Sequence, residues 1–299
     1  MNLYKHILCS FFFMRILNDK QIRRAMEDGL IVSPVDIPDS HIQPATLDVR
    51  IGKTRVYDAE AKTKAQAWWN EQIAKGYIGI EPTSEFAEVY DDVAEQKIVI
   101  PPGAFAEIFL HEQLVHDNFF PTVDLRSSRG RLGLRLNGPH LEYECGEAYI
   151  ALTNTNPNSI ALYGQSKFAQ LFFEPKDNHR PFSGSVVYDP AVAEDIAKMI
   201  CDDPVVYGHY LALELGDTVF EFNPEIRVID TNDLPEDDEL YKEVNVDKEY
   251  VLQPHTACVA KLSPALNLPA NVGVSILHQL PIAQQPGLTT PDLQVFFYE

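Results

Sequence analysis

Short apolar runs recur about every ten residues through the middle of this chain, each closed by a turn signal. The runs Lys97–Ile100, Ala104–Leu110, Thr122–Leu125, Tyr149–Asn154, Ser159–Leu162 and Phe168–Phe173 suit strands better than helices of ordinary length. Pro-Pro-Gly at 101–103, Asn-Gly-Pro at 137–139 and Asn-Pro-Asn at 156–158 punctuate them. Upstream, Ala45 to Val56 alternates apolar and polar residues around Gly52. Many short strands with frequent turns predict a mainly β protein, built as a barrel or sandwich. Helices are few. One is predicted over Asp19–Asp28, capped by Asn18 or Asp19 and closed by Gly29. A second spans Ala59–Lys75 as an insertion ended by Gly76, and a third spans Pro190–Ile200 before Asp202–Asp203–Pro204.

The β pattern repeats. Ile98–Leu114 (I-V-I-P-P-G-A-F-A-E-I-F-L-H-E-Q-L) aligns without gaps on Tyr250–Leu266 (Y-V-L-Q-P-H-T-A-C-V-A-K-L-S-P-A-L) at an offset of 152. Pro102 then meets Pro254, Leu110 meets Leu262 and Leu114 meets Leu266. Further upstream, T-R-V-Y-D at Thr54–Asp58 is echoed by I-R-V-I-D at Ile226–Asp230. The sequence thus predicts two related units in tandem, 14–185 and 205–299, joined by a helical linker at 186–204. The second copy is incomplete: opposite Arg126, Ser127, Ser128 and Arg131 stand His278, Gln279, Leu280 and Ala283.

Composition limits the partners. A net charge of −20 repels nucleic acid polymers, yet leaves room for a small anion where basic residues gather. The cysteines, Cys9, Cys145, Cys201 and Cys258, form no C-x-x-C pair, so neither a disulfide framework nor a thiolate zinc site is expected. That usage suits a reducing, cytoplasmic setting. Lys5 precedes a short apolar stretch ending at Met14, too short to cross a bilayer. Met14 opens a more natural start, so residues 1–13 read as an upstream-start artefact or a loose extension, and no membrane partner is expected.

The chemistry concentrates at Leu125–Leu134. Arg126, Arg129, Arg131 and Arg135 fall within ten residues of an otherwise acidic chain, with Ser127 and Ser128 among them. Guanidinium forks bind phosphate oxygens, hydroxyls donate to them, and Gly130 and Gly133 allow close backbone approach. The lysine-based phosphate loop G-x-x-x-x-G-K-[ST] is absent.

R-S-S-R-G-R-L-G-L at 126–134 resembles the R-S-S-x-x-R-L-G-L loop of dCTP deaminases and, more loosely, of trimeric dUTPases. The resemblance continues in order through Met14–Gly29, through I-Q-P-A-T-L-D-V-R-I-G at Ile42–Gly52 and through the strands of Ala151–Pro175. It implies a distorted β-barrel, homo-oligomeric and usually trimeric, with sites between subunits and a deoxypyrimidine nucleoside triphosphate bound as its magnesium chelate. It also fits the repeat, because longer dCTP deaminase-like proteins have duplicated units. By position, the resemblance assigns Ser127 and Arg131 to the pyrimidine and the attacking water. Arg126, Ser128, Asp48 and Gln170 take nucleotide-binding positions, and His140 is a further candidate contact.

One position departs. The deaminases place a glutamate base in L-E-x-x-N, where this chain reads L-T-N-T-N with Thr153. A neutral hydroxyl cannot take a proton from water at neutral pH. The dUTPases instead use an aspartate in the preceding turn, where H-L-E-Y-E-C-G-E offers Glu142 or Glu144. His140–Leu141–Glu142 also fits half of a zinc deaminase signature, but no P-C-x-x-C follows, so no zinc is expected. The leading expectation is hydrolytic deamination of dCTP to dUTP. A dUTP pyrophosphatase and a non-catalytic nucleotide-binding paralogue are the alternatives.

Overall fold

A computed structural model describes residues 6–13, 16–76, 84–176, 185–186, 190–207, 210–246, 250–251, 257–263 and 273–277. The described chain is mainly β. Its central sheet sets Phe119–Leu125, Lys167–Pro175, Leu47–Tyr57, Phe105–Leu110, Glu147–Asn154 and Leu134–Leu136 side by side in that order, every pair antiparallel. Glu88–Tyr90 and Glu142–Glu144 add to it. The sheet curls into a nearly closed barrel because alternate residues of each strand are apolar and point to one side. Leu47, Val49, Ile51, Ile108, Leu152, Leu171 and Phe173 fill that side with no exposed surface. Burying each such side chain contributes about 1.5–3 kcal/mol.

A smaller sheet covers the core: Lys97–Ile100 runs antiparallel to Ser159–Tyr163, which in turn pairs in parallel with Val228–Asp230. Ile98, Ile100, Ile160, Leu162 and Ile229 are fully buried there. The linear division expected at 186–204 is therefore crossed. Phe222, Ile229 and Leu240, from the second half of the chain, belong to the same hydrophobic core as Leu47 and Phe173.

The second sheet is built around the long strand Tyr210–Phe222, which pairs with His6–Phe13, Val205–Tyr207, Tyr241–Asn245 and Cys258–Ser263. His6–Phe13, expected to be a loose extension, is thus a paired strand, and it also meets Gly273–Leu277 and Ser185–Val186. Its partners are distant in sequence, so a short apolar run could not announce them.

Two strand pairs that the 152 offset links share a register shift. In the first unit Ile51 faces Leu110, and a register shift follows before Thr54 faces Ile108. In the second, Leu215 faces Leu262, and a register shift follows before Val219 faces Ala260. Leu110 and Leu262, and Ile108 and Ala260, are the pairs that the 152 offset aligns. A glycine sits in each bulged strand, Gly52 and Gly216, within I-G-K-T and L-G-D-T. The upstream echo, however, lies elsewhere than the sequence suggested. Ile226–Asp230 is no counterpart of Thr54–Asp58, since Val228–Asp230 runs parallel to Ser159–Tyr163 while Thr54–Tyr57 runs antiparallel to Phe105–Ile108. The counterpart is the stretch following Gly216. A fixed offset misses it because the first unit carries the helix Ala59–Ala74 between its two strands. His278, Gln279, Leu280 and Ala283 lie outside the described residues.

The helices form where caps predict them. Asn18 and Gln21 make a reciprocal capping box for Asp19–Glu27, and the Asp58 side chain accepts from the Ala61 amide to start Ala59–Ala74. Pro190–Ile200 forms the third. Among the described residues no helix is long and apolar enough to cross a membrane.

Candidate nucleotide site

Three neighbouring strands bring the predicted residues together. Gln170 faces Asp48 on one side and Asp124 on the other. Asp48 lies between Leu47 and Val49, so alternation turns it away from the barrel core, yet it has no exposed surface. Polar side chains cover it instead. Its Oδ2 accepts from Arg126 Nη1 at 3.2 Å and Gln43 Nε2 at 3.4 Å, with Lys167 Nζ 3.3 Å away. Its Oδ1 accepts from Gln170 Nε2 at 3.2 Å. A buried carboxylate is tolerable only with such compensation. Asp48 is thus an organiser: it fixes Arg126, Lys167 and Gln170 around one point and leaves two cations against one anion.

Lys167, Gln43 and His41 escaped the sequence reading. Gln43 stands inside the I-Q-P-A block, which was a usable signal. Lys167 offered none, because it stands three positions before Gln170, and strict alternation puts residues at that odd spacing on opposite faces. A bulge between Lys167 and Ala169 cancels the alternation. His41 packs its Nδ1 3.2 Å from the Asp48 carbonyl. Burial first, and the Lys167 charge second, lower its pKa, so it is neutral at pH 7.

From the end of Phe119–Leu125 the chain passes through Arg126 into the single helical turn Ser127–Gly130. Ser127 is exposed, while Ser128, Arg129 and Arg131 are half-buried. Arg131 Nε approaches the Ser127 carbonyl at 3.4 Å. The exit of the loop is clamped from below: Asn156 Nδ2 donates to Leu132 O at 2.7 Å, and Thr155 Oγ1 donates to Gly133 O at 2.7 Å. Gly133 has a φ of 82°, and a Cβ there would sit 3.2 Å from Asn156. The asparagine run therefore shapes the loop. Arg129 stands out electrostatically, because its Nε is buried without a hydrogen-bond partner among the described residues. Burial and then the neighbouring Arg126 charge lower its pKa.

The carboxylates considered for proton transfer lie apart from Thr153. Thr153 is paired with Arg135 and Phe105, and its Oγ1 donates to Asn137 Oδ1 at 3.1 Å. Glu142 is paired with Tyr149 and accepts from its hydroxyl at 2.8 Å. Glu144 is paired with Glu147 and bonds Arg55. At about 3.3 Å per residue these pairings lie roughly 13 and 20 Å along the strand from Thr153. His140 is exposed and bridges to Thr122 through its backbone. One carboxylate that sequence missed shares Thr153's sheet face: Glu107, whose pKa burial raises. It accepts from Tyr57 at 3.1 Å and from Arg55 at 3.3 Å.

Residues 16–175 match the family model described as dCTP deaminase-like. A protein of Dictyoglomus thermophilum named dCTP deaminase, dUMP-forming, is 28% identical over 167 residues, which are 53% of this chain and 79% of that protein. Its namesake in Methanothermobacter thermautotrophicus is 30% identical over 173 residues, 54% of this chain and 79% of its own. A Haloarcula marismortui protein named dCTP deaminase is 32% identical over 170 residues, 53% and 79% of the two chains. The crystal structure of 2'-deoxycytidine 5'-triphosphate deaminase from Agrobacterium tumefaciens resembles this fold with a TM-score of 0.57 at 15% identity. That likeness covers 82% of this chain and 74% of the other, and so extends beyond residues 16–175.

Proposed function

The chain belongs to the dCTP deaminase-like family, and from that premise we propose that it binds a deoxypyrimidine nucleoside triphosphate beside Arg126 and hydrolytically deaminates dCTP. The carrying observation is the convergence of Arg126, Lys167 and Gln170 on the buried Asp48, next to the exposed Ser127. Phosphate oxygens suit the cationic side of that nest, because Asp48 spends its own acceptors internally and leaves the outward guanidinium donors of Arg126 available. Ser128 is placed in the same turn to add a hydroxyl donor. Magnesium would be carried by the triphosphate. Among the described residues no three His, Cys, Asp or Glu side chains gather into a cage for it, and Asp48 is already committed to its four donors.

In the reaction, water adds at C4 of cytosine and ammonia leaves, giving dUTP. Ser127 and Arg131 orient the ring and the water. Proton transfer needs a carboxylate that Thr153 does not provide. Glu142 or Glu144 would have to reach the site from a neighbouring copy, because within one chain their pairings lie roughly 13 and 20 Å along the strand from Thr153.

A second reading is favoured by the relatives named dUMP-forming. In it, a further hydrolysis at the α-phosphate releases pyrophosphate. A third, binding without turnover, follows from Thr153. Incubating the protein with dCTP and with dUTP plus magnesium, and following ammonia and pyrophosphate, separates the three. Ammonia alone from dCTP supports deamination to dUTP, and both products support dUMP formation. Tight binding with neither product leaves only the third reading.

A further inference from the structure

The second half of the chain reaches back to the arginine loop. Phe222 and Tyr241 are register partners in the second sheet, and the residues between them leave that sheet to lie on the first barrel. Asn158 Nδ2 donates to Asn223 O at 3.0 Å where this excursion begins. Val228–Asp230 then pairs with Ser159–Ala161, and Thr231 Oγ1 donates to Ala161 O at 2.8 Å. Lys97 Nζ and the Tyr163 hydroxyl both bond Asp230 Oδ2, at 2.8 and 2.7 Å. Ile229 and Leu240 are buried in the barrel core. The excursion is therefore fastened along its length, by hydrogen bonds, an ion pair and apolar burial.

Its far end touches the site. The Tyr241 hydroxyl donates to the Arg131 carbonyl at 3.1 Å, across 110 residues of sequence. The Tyr241 ring is set by Phe222 and Phe220, with centroids 5.1 and 6.2 Å away. The next two loop carbonyls, Leu132 and Gly133, are held by Asn156 and Thr155 of the first unit. The asparagine run also links the two ends, since Asn156 Oδ1 accepts from the Asn158 amide and Asn158 holds Asn223. Three consecutive carbonyls on the exit side of the loop are thus fixed, and the first is fixed by the second half of the chain.

We propose that residues 223–241 are a built-in strap, and that Tyr241 is a positioning residue which sets the arginine loop through the Arg131 carbonyl. The bulged second unit lacks the loop chemistry in sequence, and this contact gives it a role in the site of the first. Arg131 also has its amide bonded to Ser127 O and its Nε near the same oxygen. Fixing its carbonyl therefore restrains the whole turn that presents Ser127 and Arg131. For its effect on affinity the proposal rests on the nucleotide reading above; for its effect on the loop it does not.

The test compares Tyr241→Phe with the wild-type chain by amide hydrogen exchange and by binding of dCTP with magnesium. The variant keeps the ring against Phe220 and Phe222 and removes only the donor. The amides of Arg131, Leu132 and Gly133 are expected to exchange about three- to tenfold faster, the factor one net hydrogen bond supplies. Amides of the central strand Ala169–Phe173 are expected to stay unchanged, which separates a local release from global destabilisation. Lys97→Ala, which loosens the strap at Asp230, is expected to shift the same loop amides in the same direction. Affinity for dCTP is expected to fall by a similar factor in Tyr241→Phe. Unchanged loop exchange in both variants overturns the strap. Faster exchange with no nucleotide binding by the wild-type chain keeps the strap and removes the nucleotide reading instead.

Discussion

Arg126 Nη1 lies 3.2 Å from Oδ2 of Asp48, a carboxylate with no exposed surface that stands 78 residues earlier in the chain. The contact joins two strands that flank Lys167–Pro175 and aims the first arginine of the loop. Removing Asp48 leaves Arg126 and Lys167 crowded without their counter-charge. Asp48→Ala is expected to cost about 3 kcal/mol, at the lower end for a broken buried pair because both cations are partly exposed. Asp48→Asn is expected to cost less stability but still weaken nucleotide binding, since Arg126 loses its anchor. Urea unfolding and titration with dCTP check the two. Wild-type affinity in Asp48→Asn would show that Arg126 needs no organiser.

On the proposed deamination, Thr153 is the position that limits turnover. It occupies the position where the resembling deaminases have glutamate, beside Arg135 and Phe105 in the sheet. Thr153→Glu is expected to raise ammonia release from dCTP by about 100-fold or more, the range a positioned general base supplies. No gain, with binding retained, would place the base elsewhere.

The bulged glycines give a graded prediction. A Cβ at Gly52 would lie 2.7 Å from the Phe109 carbonyl oxygen, a backbone atom that cannot swing away. At Gly216 the nearest atom, the Lys261 carbonyl oxygen, is 3.2 Å away. Gly52→Ala is expected to destabilise by about 2–3 kcal/mol through overpacking, and Gly216→Ala by about 1 kcal/mol or less. Denaturant midpoints give the order directly. A reversed order would contradict the close approach in the first unit.

Asp230 carries an acid-sensitive contact. Lys97 first, with Tyr163 and the Asn232 amide, holds its carboxyl down at about 2. The folded value lies below the ordinary carboxylate value of about 3.9. The contribution is therefore complete above that ordinary value, and it is lost as pH falls from about 4 through about 2. The pair is partly exposed, so Asp230→Asn is expected to cost less than about 1 kcal/mol at pH 7. The gap between variant and wild type should close between pH 4 and pH 2. Stability curves that stay parallel across that window would exclude the linkage.

Arg129 is a half-buried cation whose Nε has no hydrogen-bond partner among the described residues. Burying a guanidinium without a counter-charge opposes folding. Arg129→Leu is expected to raise the thermal midpoint, by the equivalent of about 1 kcal/mol, while weakening nucleotide binding if the phosphates answer that charge. A lower midpoint would mean that the cation is already compensated within the fold.

Much of this arrangement was readable from the chain alone. Alternation and turn residues announce the barrel strands, because a strand buried on one face must repeat every second residue. The capping residues Asn18 and Asp58 mark two helix starts, because their side chains satisfy amides that the helix cannot. The loop at Leu125–Leu134, with Asp48 and Gln170, was also legible, since its chemistry is written in consecutive residue types. Other features needed the third dimension. Lys167 joins Gln170 only because a bulge shifts the register, and periodicity carries no trace of that shift. Glu142 and Glu144 look near Thr153 in sequence, but the hairpin lays them out along a strand and carries them away.

The sequence by itself determined a β-rich chain with one arginine loop, because local patterning fixes strand type and local composition fixes charge. Only the tertiary structure decided which distant segments meet. It placed His6–Phe13 in the second sheet, moved Val228–Asp230 onto the first barrel and set the Tyr241 hydroxyl against the Arg131 carbonyl. The physical reason is common to all three. Strand pairing and burial reward contacts between residues far apart in the chain, and no short window of sequence records its distant partner.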